Sequence, residues 1–277
     1  MRFQKVYLEI GNVCNLRCSF CPGTRRPPRF LSVGEFSLLT ERLRGWTEYL
    51  YFHLMGEPLL HPELADLLRI AGEKGFYVNI TTNGILLPSA AECLLSSRAL
   101  HRVNLSLQAW ESNELPLSLN DYVNSCADFA RRGAARGLIL SLRLWNGGGA
   151  DSRNGEILSL LRAAFPEPWQ PGQRNTVLAP RVYLEQGERF DWPTPDAAET
   201  GTRFCRGLRD QLGVLCDGTV VPCCLDAEGA LALGNLFDNT LEEILRSPRA
   251  QAIYDGFSRR EATEDLCRRC GYATRFL

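Results

Sequence analysis

Lysine is almost missing from this chain. Lys5 and Lys74 are its only two, so nearly all of its positive charge is arginine. No basic run of the kind that grips a phosphate backbone is present. With a formal net charge of −1, this excludes a general nucleic-acid binder. Long apolar runs are missing too. No stretch approaches the ~20 residues needed to cross a bilayer, so no membrane partner is expected. Residues 1–5 lead straight into an apolar strand, without the charged and then apolar segments of a secretory signal. The expected location is the cytoplasm.

Cysteine, by contrast, is abundant, with 11 in 277 residues. Disulfides are disfavoured in the cytoplasm, so clustered cysteines read as metal ligands. Cys93 and Cys126 stand alone in apolar helical stretches and read as core residues. The other nine fall into two groups, 14–21 and 205–270.

The length suits one large α/β domain with a small appendage. Strands are expected at 5–10, 49–55, 76–81, 102–108 and 138–145, with a sixth at 176–185. Helical patterns fill the gaps. Ser32 and Glu35 form a capping box opening a helix to about Gly45. Pro62 suits the first position of a helix ending near Gly75. Others follow Pro88, cover 119–133 and end near Phe165. Repeated β–α units imply a parallel sheet with right-handed crossovers. Five or six units suit an open, partial (β/α)6-type TIM barrel rather than a closed eight-stranded one. Chemistry in such sheets collects at the C-terminal ends of the strands, where the first cysteine loop falls. Past about residue 186 the pattern changes. Residues 211–224 read as a hairpin turning at Asp217-Gly218, and Asn239 with Glu242 caps a helix that Pro248 interrupts. The expected division is a barrel over 1–187 and a small cysteine-bearing module over 188–277.

Cys14-x-x-x-Cys18-x-x-Cys21 supplies three thiolates close in sequence. A cubane [4Fe–4S] cluster usually takes four cysteines. Three leave one iron open, as a catalytic zinc keeps an open position, and a chelating amino acid can bind there. A zinc site completed by a distant fourth ligand is the other reading of this spacing. The segment Cys14-Asn15-Leu16-Arg17-Cys18-Ser19-Phe20-Cys21 resembles the radical S-adenosylmethionine superfamily, including the aromatic residue before the last cysteine. The likeness continues in order. Met55-Gly56-Glu57-Pro58 looks like the family's Gly-Gly-Glu-Pro segment that receives the cosubstrate's amino group, with Met55 replacing the first glycine. Thr82-Asn83-Gly84 is also family-like, and Ser106 matches a cosubstrate-binding serine. Asn104, Ser106 and Gln108 share one strand face by period two, as suits a barrel whose interior holds ligand. The resemblance implies a [4Fe–4S] cluster on Cys14, Cys18 and Cys21, and S-adenosyl-L-methionine against Gly56, Glu57, Asn104 and Ser106. It also implies reduction by flavodoxin or ferredoxin and cleavage to a 5′-deoxyadenosyl radical, with the hard chemistry left to the cofactor.

In the second group, Cys205, Cys223, Cys267 and Cys270 have 17, 43 and 2 residues between them. Four thiolates fill every position of a cluster, which suits electron transfer or substrate ligation. A structural zinc ribbon uses the same residues equally well. The stretch Asp217-Gly218-Thr219-Val220-Val221-Pro222-Cys223, followed by Gly234-Asn235-Leu236, resembles the auxiliary-cluster modules called SPASM and twitch, in the twitch form with a single [4Fe–4S]. Cys216 and Cys224 are left over and read as non-ligating.

Ser141, Arg143 and Trp145 share one face of the fifth strand. Arg143 is the candidate catalytic residue, gripping a carboxylate or assisting deprotonation; the alternative is an internal ion pair with Glu9 or Glu57. His53 and Glu9 read as packing or structural groups. Arg25, Arg26 and Arg29 read as a solvated loop, or as a lure for an anionic substrate. The function these features imply is a radical oxidoreductase that abstracts hydrogen from its substrate while the auxiliary cluster accepts an electron. A small polar metabolite is the expected substrate, since the chain starts at strand one with no room for a leader-binding winged helix. Ribosomal-peptide maturation by cross-linking or epimerisation is the alternative, and a zinc-stabilised, non-catalytic scaffold is the reading from another class.

Overall fold

The computed structural model describes residues 3–149 and 151–276. The outer limits of the 1–187 and 188–277 division therefore lie outside the described residues. The first half alternates as the periodicity requires: β1 (Lys5–Leu8), α1 (Val33–Leu43), β2 (Tyr49–Phe52), α2 (Leu64–Glu73), β3 (Tyr77–Thr82), α3 (Leu87–Ser96), β4 (Leu100–Ser106), α4 (Leu119–Ala135), β5 (Ile139–Gly147) and α5 (Asn154–Ala164). Then come β6 (Gln170–Pro171), β7 (Thr176–Ala179), β8 (Val182–Glu188), β9 (Gln211–Val214), β10 (Thr219–Val221) and β11 (Gly234–Asn235). Three helices finish the chain, α6 (Leu241–Leu245), α7 (Pro248–Ser258) and α8 (Asp265–Arg268).

One sheet carries all the strands, in the order β11-β10-β9-β1-β2-β3-β4-β5-β8-β7-β6. From β9 to β8 every neighbouring pair is parallel, and the flanks are antiparallel. This is the open parallel sheet of a partial barrel, covered on one face by α1–α5. Val6, Leu8, Leu50, Phe52, Val103 and Leu105 point to the helices and join the core with Phe36, Leu67 and Phe129. Phe36 meets Phe52 edge-on at 5.5 Å between centroids. Burying each such ring contributes roughly 1.5–3 kcal/mol. The opposite parity is polar and aromatic. Tyr7, Tyr51, Asn79 and Arg102 are successive register partners, and so are Thr81, Asn104, Ser141 and Tyr183. A third row holds Ser106, Arg143 and Glu185.

Several local expectations change. The strand expected over 176–185 is a hairpin instead: β7 turns back into β8 at Pro180-Arg181, with Arg181 at φ 66°. Proline removes a ladder donor and a left-handed residue reverses the chain, so only β8 serves as the sixth parallel strand. β4 stops at Ser106, and Leu107–Ala109 forms a 3₁₀ turn, which takes Gln108 out of the strand alternation. Helix α2 begins two residues beyond Pro62, because the His61 ring accepts the Glu63 amide and holds a turn there. Thr240 and Glu243, one residue beyond the expected pair, form the capping box of α6. Pro248 opens α7 behind the Ser247 cap rather than interrupting a helix, since a first-turn proline gives up no intrahelical bond. The capping box of Ser32 and Glu35 on α1 is formed as expected.

The β9–β10 hairpin matters most for the site. It turns at Asp217-Gly218 and lays β9 parallel to β1, from Lys5↔Gln211 to Leu8↔Val214. The second cysteine group is thereby carried to the open edge of the barrel, and Ala227 and Glu228 behind it meet the limb that returns from the first cysteine loop.

Candidate active site: two groups of thiols on one barrel

Cys14, Cys18 and Cys21 lie on the loop leaving β1, with Cys14 and Cys21 exposed. Each sulfur accepts a hydrogen bond: Cys14 Sγ from Leu16 N (3.5 Å), Cys21 Sγ from Gly23 N (3.5 Å) and Cys18 Sγ from Asn113 Nδ2 (3.2 Å). Burial pushes Cys18 up to about 11, with the nearby Cys21 and Cys14 adding to it, against hydrogen bonds from the Asn113 amide and from its own backbone. Asn113 also accepts Arg17 N at 2.9 Å, so one side chain orders both the loop backbone and a ligand candidate. Sequence reading missed Asn113. It stands in a short polar stretch without a motif, and only the fold brings it to Cys18.

The end of β2 meets this loop. Gly56 has φ 79°, and a β-carbon there would lie 2.9 Å from Val13 O and closer still to the Gly11 carbonyl. Only glycine permits that approach, which lets Glu57 N donate to Val13 O at 2.8 Å. The buried Glu57 carboxylate accepts Leu59 N (3.0 Å) and Asn83 N (2.8 Å). Burial raises its pKa against those bonds. Asn83 reaches on to Asn15 Oδ1 at 2.8 Å, closing a ring of contacts around the three-cysteine loop. Asn104 donates to Thr81 Oγ1 at 3.0 Å, while its own Oδ1 is buried without a partner, as is Gln108 Oε1. The Ser106 carbonyl accepts from the Tyr122 hydroxyl at 3.2 Å. An unpaired buried acceptor costs about 1–3 kcal/mol, so these atoms fit a polar ligand with donors.

The inner wall carries the remaining candidates. Arg143 does form an internal ion pair, but with Glu185 (3.0 Å) rather than Glu9 or Glu57, because Glu185 is its register partner on β8. Its guanidinium also lies over the Trp145 ring at 4.5 Å, and burial lowers its pKa. Arg102 shares Glu185 at 3.7 Å. His53 packs edge-on against Tyr7 and Tyr51. Burial, then Arg143 and Lys5, pull it down to about 3, so it is neutral, and its Nδ1 has no partner. Ser141 Oγ is likewise unpaired. The arginine loop is solvated at Arg25 and partly so at Arg29, which pairs with Glu35 at 2.6 Å, but Arg26 turns inward and is caught by the buried Glu9 at 2.6 Å.

Cys205, Cys223, Cys267 and Cys270 line one cavity with apolar walls that include Leu225, Leu231, Phe257 and Ala273. Burial raises all four thiols, and mutual proximity adds to it at Cys205, Cys223 and Cys267. Thiols crowded in an apolar shell ionise only beside strong positive charge, which iron supplies. The donor set therefore fits a cluster. Cys216 and Cys224 do not line this cavity. Cys224 packs on Tyr7, and Cys216 is buried with Arg26 Nη1 at 3.8 Å. Among the described residues, no three His, Cys, Asp or Glu side chains converge as around a single metal ion.

Comparison with known proteins agrees with this division of labour. Residues 8–133 match the Radical SAM superfamily and residues 205–271 match SPASM, an iron-sulfur cluster-binding domain. The GTP 3',8-cyclase of Chlorobaculum tepidum is 40% identical over 106 residues, which is 37% of this chain and 32% of that protein. This chain thus spans about a third of that relative. The PqqA peptide cyclase of Ruegeria pomeroyi is 29% identical over 302 residues, covering 95% of this chain and 78% of that protein. The solved structure of BtrN in complex with AdoMet and 2-DOIA shares the fold, with a TM-score of 0.57 at 16% identity over 98% of this chain and 93% of that one. No helix among the described residues is long and apolar enough to cross a membrane. Each cysteine group thus falls within one matched segment: the chain carries a Radical SAM domain followed by a SPASM iron-sulfur cluster-binding domain, which together imply [4Fe–4S] clusters and S-adenosylmethionine as cofactors.

Proposed function

We propose that this enzyme oxidises a small polar substrate by radical hydrogen abstraction, with a single auxiliary cluster taking the remaining electron. The observation that carries the proposal is a three-thiol loop leaving β1 together with a four-thiol cavity built on the β9–β10 hairpin that pairs with the same strand. Cys14, Cys18 and Cys21 would hold the first cluster, and Cys205, Cys223, Cys267 and Cys270 the second. A cluster held at the first site and reduced by flavodoxin or ferredoxin would supply the electron for reductive cleavage of S-adenosylmethionine to methionine and a 5′-deoxyadenosyl radical. The chain's own residues position and shield. The strand end at Gly56 and Glu57 closes on the cluster loop and, with Asn104 and Ser106, offers the cosubstrate its polar contacts. Arg143, fixed by Glu185 and Trp145, presents a charged fork to a polar group of the substrate. Ser141 Oγ and the neutral His53 add unpaired polar atoms on the same face. A wall of this kind favours a hydroxylated or charged small molecule.

A peptide substrate is the second reading, favoured by the PqqA peptide cyclase match over 95% of the chain. Deuterium transfer separates the two. Reduced enzyme incubated with S-adenosylmethionine and a deuterated substrate should yield deuterated 5′-deoxyadenosine from polar metabolites and not from peptides. Transfer from peptides alone would replace the first reading with the second. Zinc in a colourless protein would instead support a scaffold.

A further inference from the structure

We propose that Arg26, clamped by Glu9, is the positioning residue of the loop that carries Cys14, Cys18 and Cys21, and that it ties this loop to the auxiliary module. The role rests on the cluster assignments above. Glu9 is completely buried, and both of its oxygens are fully engaged. Oε1 accepts Arg26 Nη2 (2.6 Å) and Met55 N (3.2 Å); Oε2 accepts Arg26 Nη1 (2.8 Å) and Cys216 N (3.0 Å). One carboxylate thus gathers the cluster loop, the strand end before Gly56-Glu57, and the β9–β10 hairpin. Arg26 uses its remaining edge on the auxiliary module, donating from Nε to Ala227 O at 2.8 Å. Its neighbours follow: Thr24 Oγ1 donates to Ala227 O (3.4 Å) and Arg25 N to Glu228 Oε1 (2.9 Å).

The receiving segment has two sides. Ala227 follows Asp226, which lines the four-thiol cavity and whose buried carboxylate accepts Ala230 N and Leu231 N. One side of residues 223–231 therefore borders the auxiliary site while the other grips the first cluster loop. Asn83 and Asn113 hold that loop at Asn15, Arg17 and Cys18, while its last ligand candidate, Cys21, is exposed. Its orientation is inherited from the returning limb, where Arg26 stands five residues beyond Cys21. A buried ion pair is a poor source of net stability compared with apolar packing. A guanidinium with a fixed planar fork is, however, a good source of orientation.

Full-length protein, reconstituted anaerobically, tests this role with Arg26→Gln, Arg26→Lys and Glu228→Ala. Iron content, the EPR signal of the reduced protein with and without S-adenosylmethionine, and the kinetics of 5′-deoxyadenosine release are the readouts. Arg26→Gln should raise the KM for S-adenosylmethionine about tenfold, equivalent to about 1.4 kcal/mol, and alter the cosubstrate-dependent EPR change. The rate at saturation should stay within about twofold, as expected when binding geometry rather than chemistry is lost. Arg26→Lys should fall between, keeping the charge without the fork. Glu228→Ala removes only the contact to Arg25 and covers the case in which Arg26→Gln does not fold; it should raise KM by about threefold. Unchanged KM and EPR in Arg26→Lys and Glu228→Ala, with a responsive wild type, would overturn the positioning role alone. A wild type that does not respond to S-adenosylmethionine would overturn the cluster reading and this role with it.

Discussion

Replacing Gly56 with alanine tests how the strand end meets the cluster loop. Two costs add at this position. The backbone is left-handed at φ 79°, where a β-carbon costs about 1–2 kcal/mol. That carbon would also press on the Val13 and Gly11 carbonyls, which are backbone atoms and cannot rotate away. Overpacking of this kind costs about 1–3 kcal/mol. The combined loss should be about 2–5 kcal/mol, unless the loop withdraws and gives up the Glu57 N to Val13 O bond. Gly23→Ala provides the control within the same loop. Gly23 has φ 64°, and a β-carbon there would meet nothing within 4 Å, so only the backbone cost of about 1–2 kcal/mol applies. Urea unfolding of the two variants under reducing conditions, compared by midpoint and slope, measures the difference. A Gly56→Ala variant no less stable than Gly23→Ala would refute the close approach.

Further expectations follow from the same geometry. His53 is held neutral, with its pKa pulled down to about 3. Below pH 6.5 the unfolded chain takes up a proton that the folded one refuses, so stability falls with pH by about 1.4 kcal/mol per unit toward pH 3. His53→Gln should lose that contribution, with about 2 kcal/mol less destabilisation between pH 7 and 5; identical acid profiles for both proteins would contradict it. Asn113→Leu removes the amide hydrogen bond to Cys18, and potentiometric titration of the loaded protein should show a more negative first-cluster potential. An unmoved potential would show that this bond does not act on the cluster. Cys267→Ser with Cys270→Ser should reduce bound iron from about eight to about four while cleavage at saturating S-adenosylmethionine persists and substrate oxidation stops.

Much of this architecture is legible from local pattern. The 3.6-residue and two-residue periods mark most of the strand–helix alternation, and the cap at Ser32 and the turn at Asp217-Gly218 are local chemistry that survives folding. What sequence reading missed depends on register and distance. Arg143 has Glu185 opposite only because β8, and not a continuous strand over 176–185, lies beside β5. Glu9 and Arg26 face each other because β9 docks on β1 and draws the loop inward, which no spacing announces. Asn113 reaches Cys18 across 95 positions of chain. The cysteine groups were readable because their spacing is itself the chemistry; the side chains around them were not, because their roles are set by what the fold brings near.

The most direct test is the fate of S-adenosylmethionine itself. Anaerobically reconstituted, dithionite-reduced protein should convert it to methionine and 5′-deoxyadenosine, detectable by mass spectrometry, and a Cys14→Ala, Cys18→Ala, Cys21→Ala variant should not. Cluster-loaded protein that forms no 5′-deoxyadenosine, even with candidate substrates present, would contradict the account.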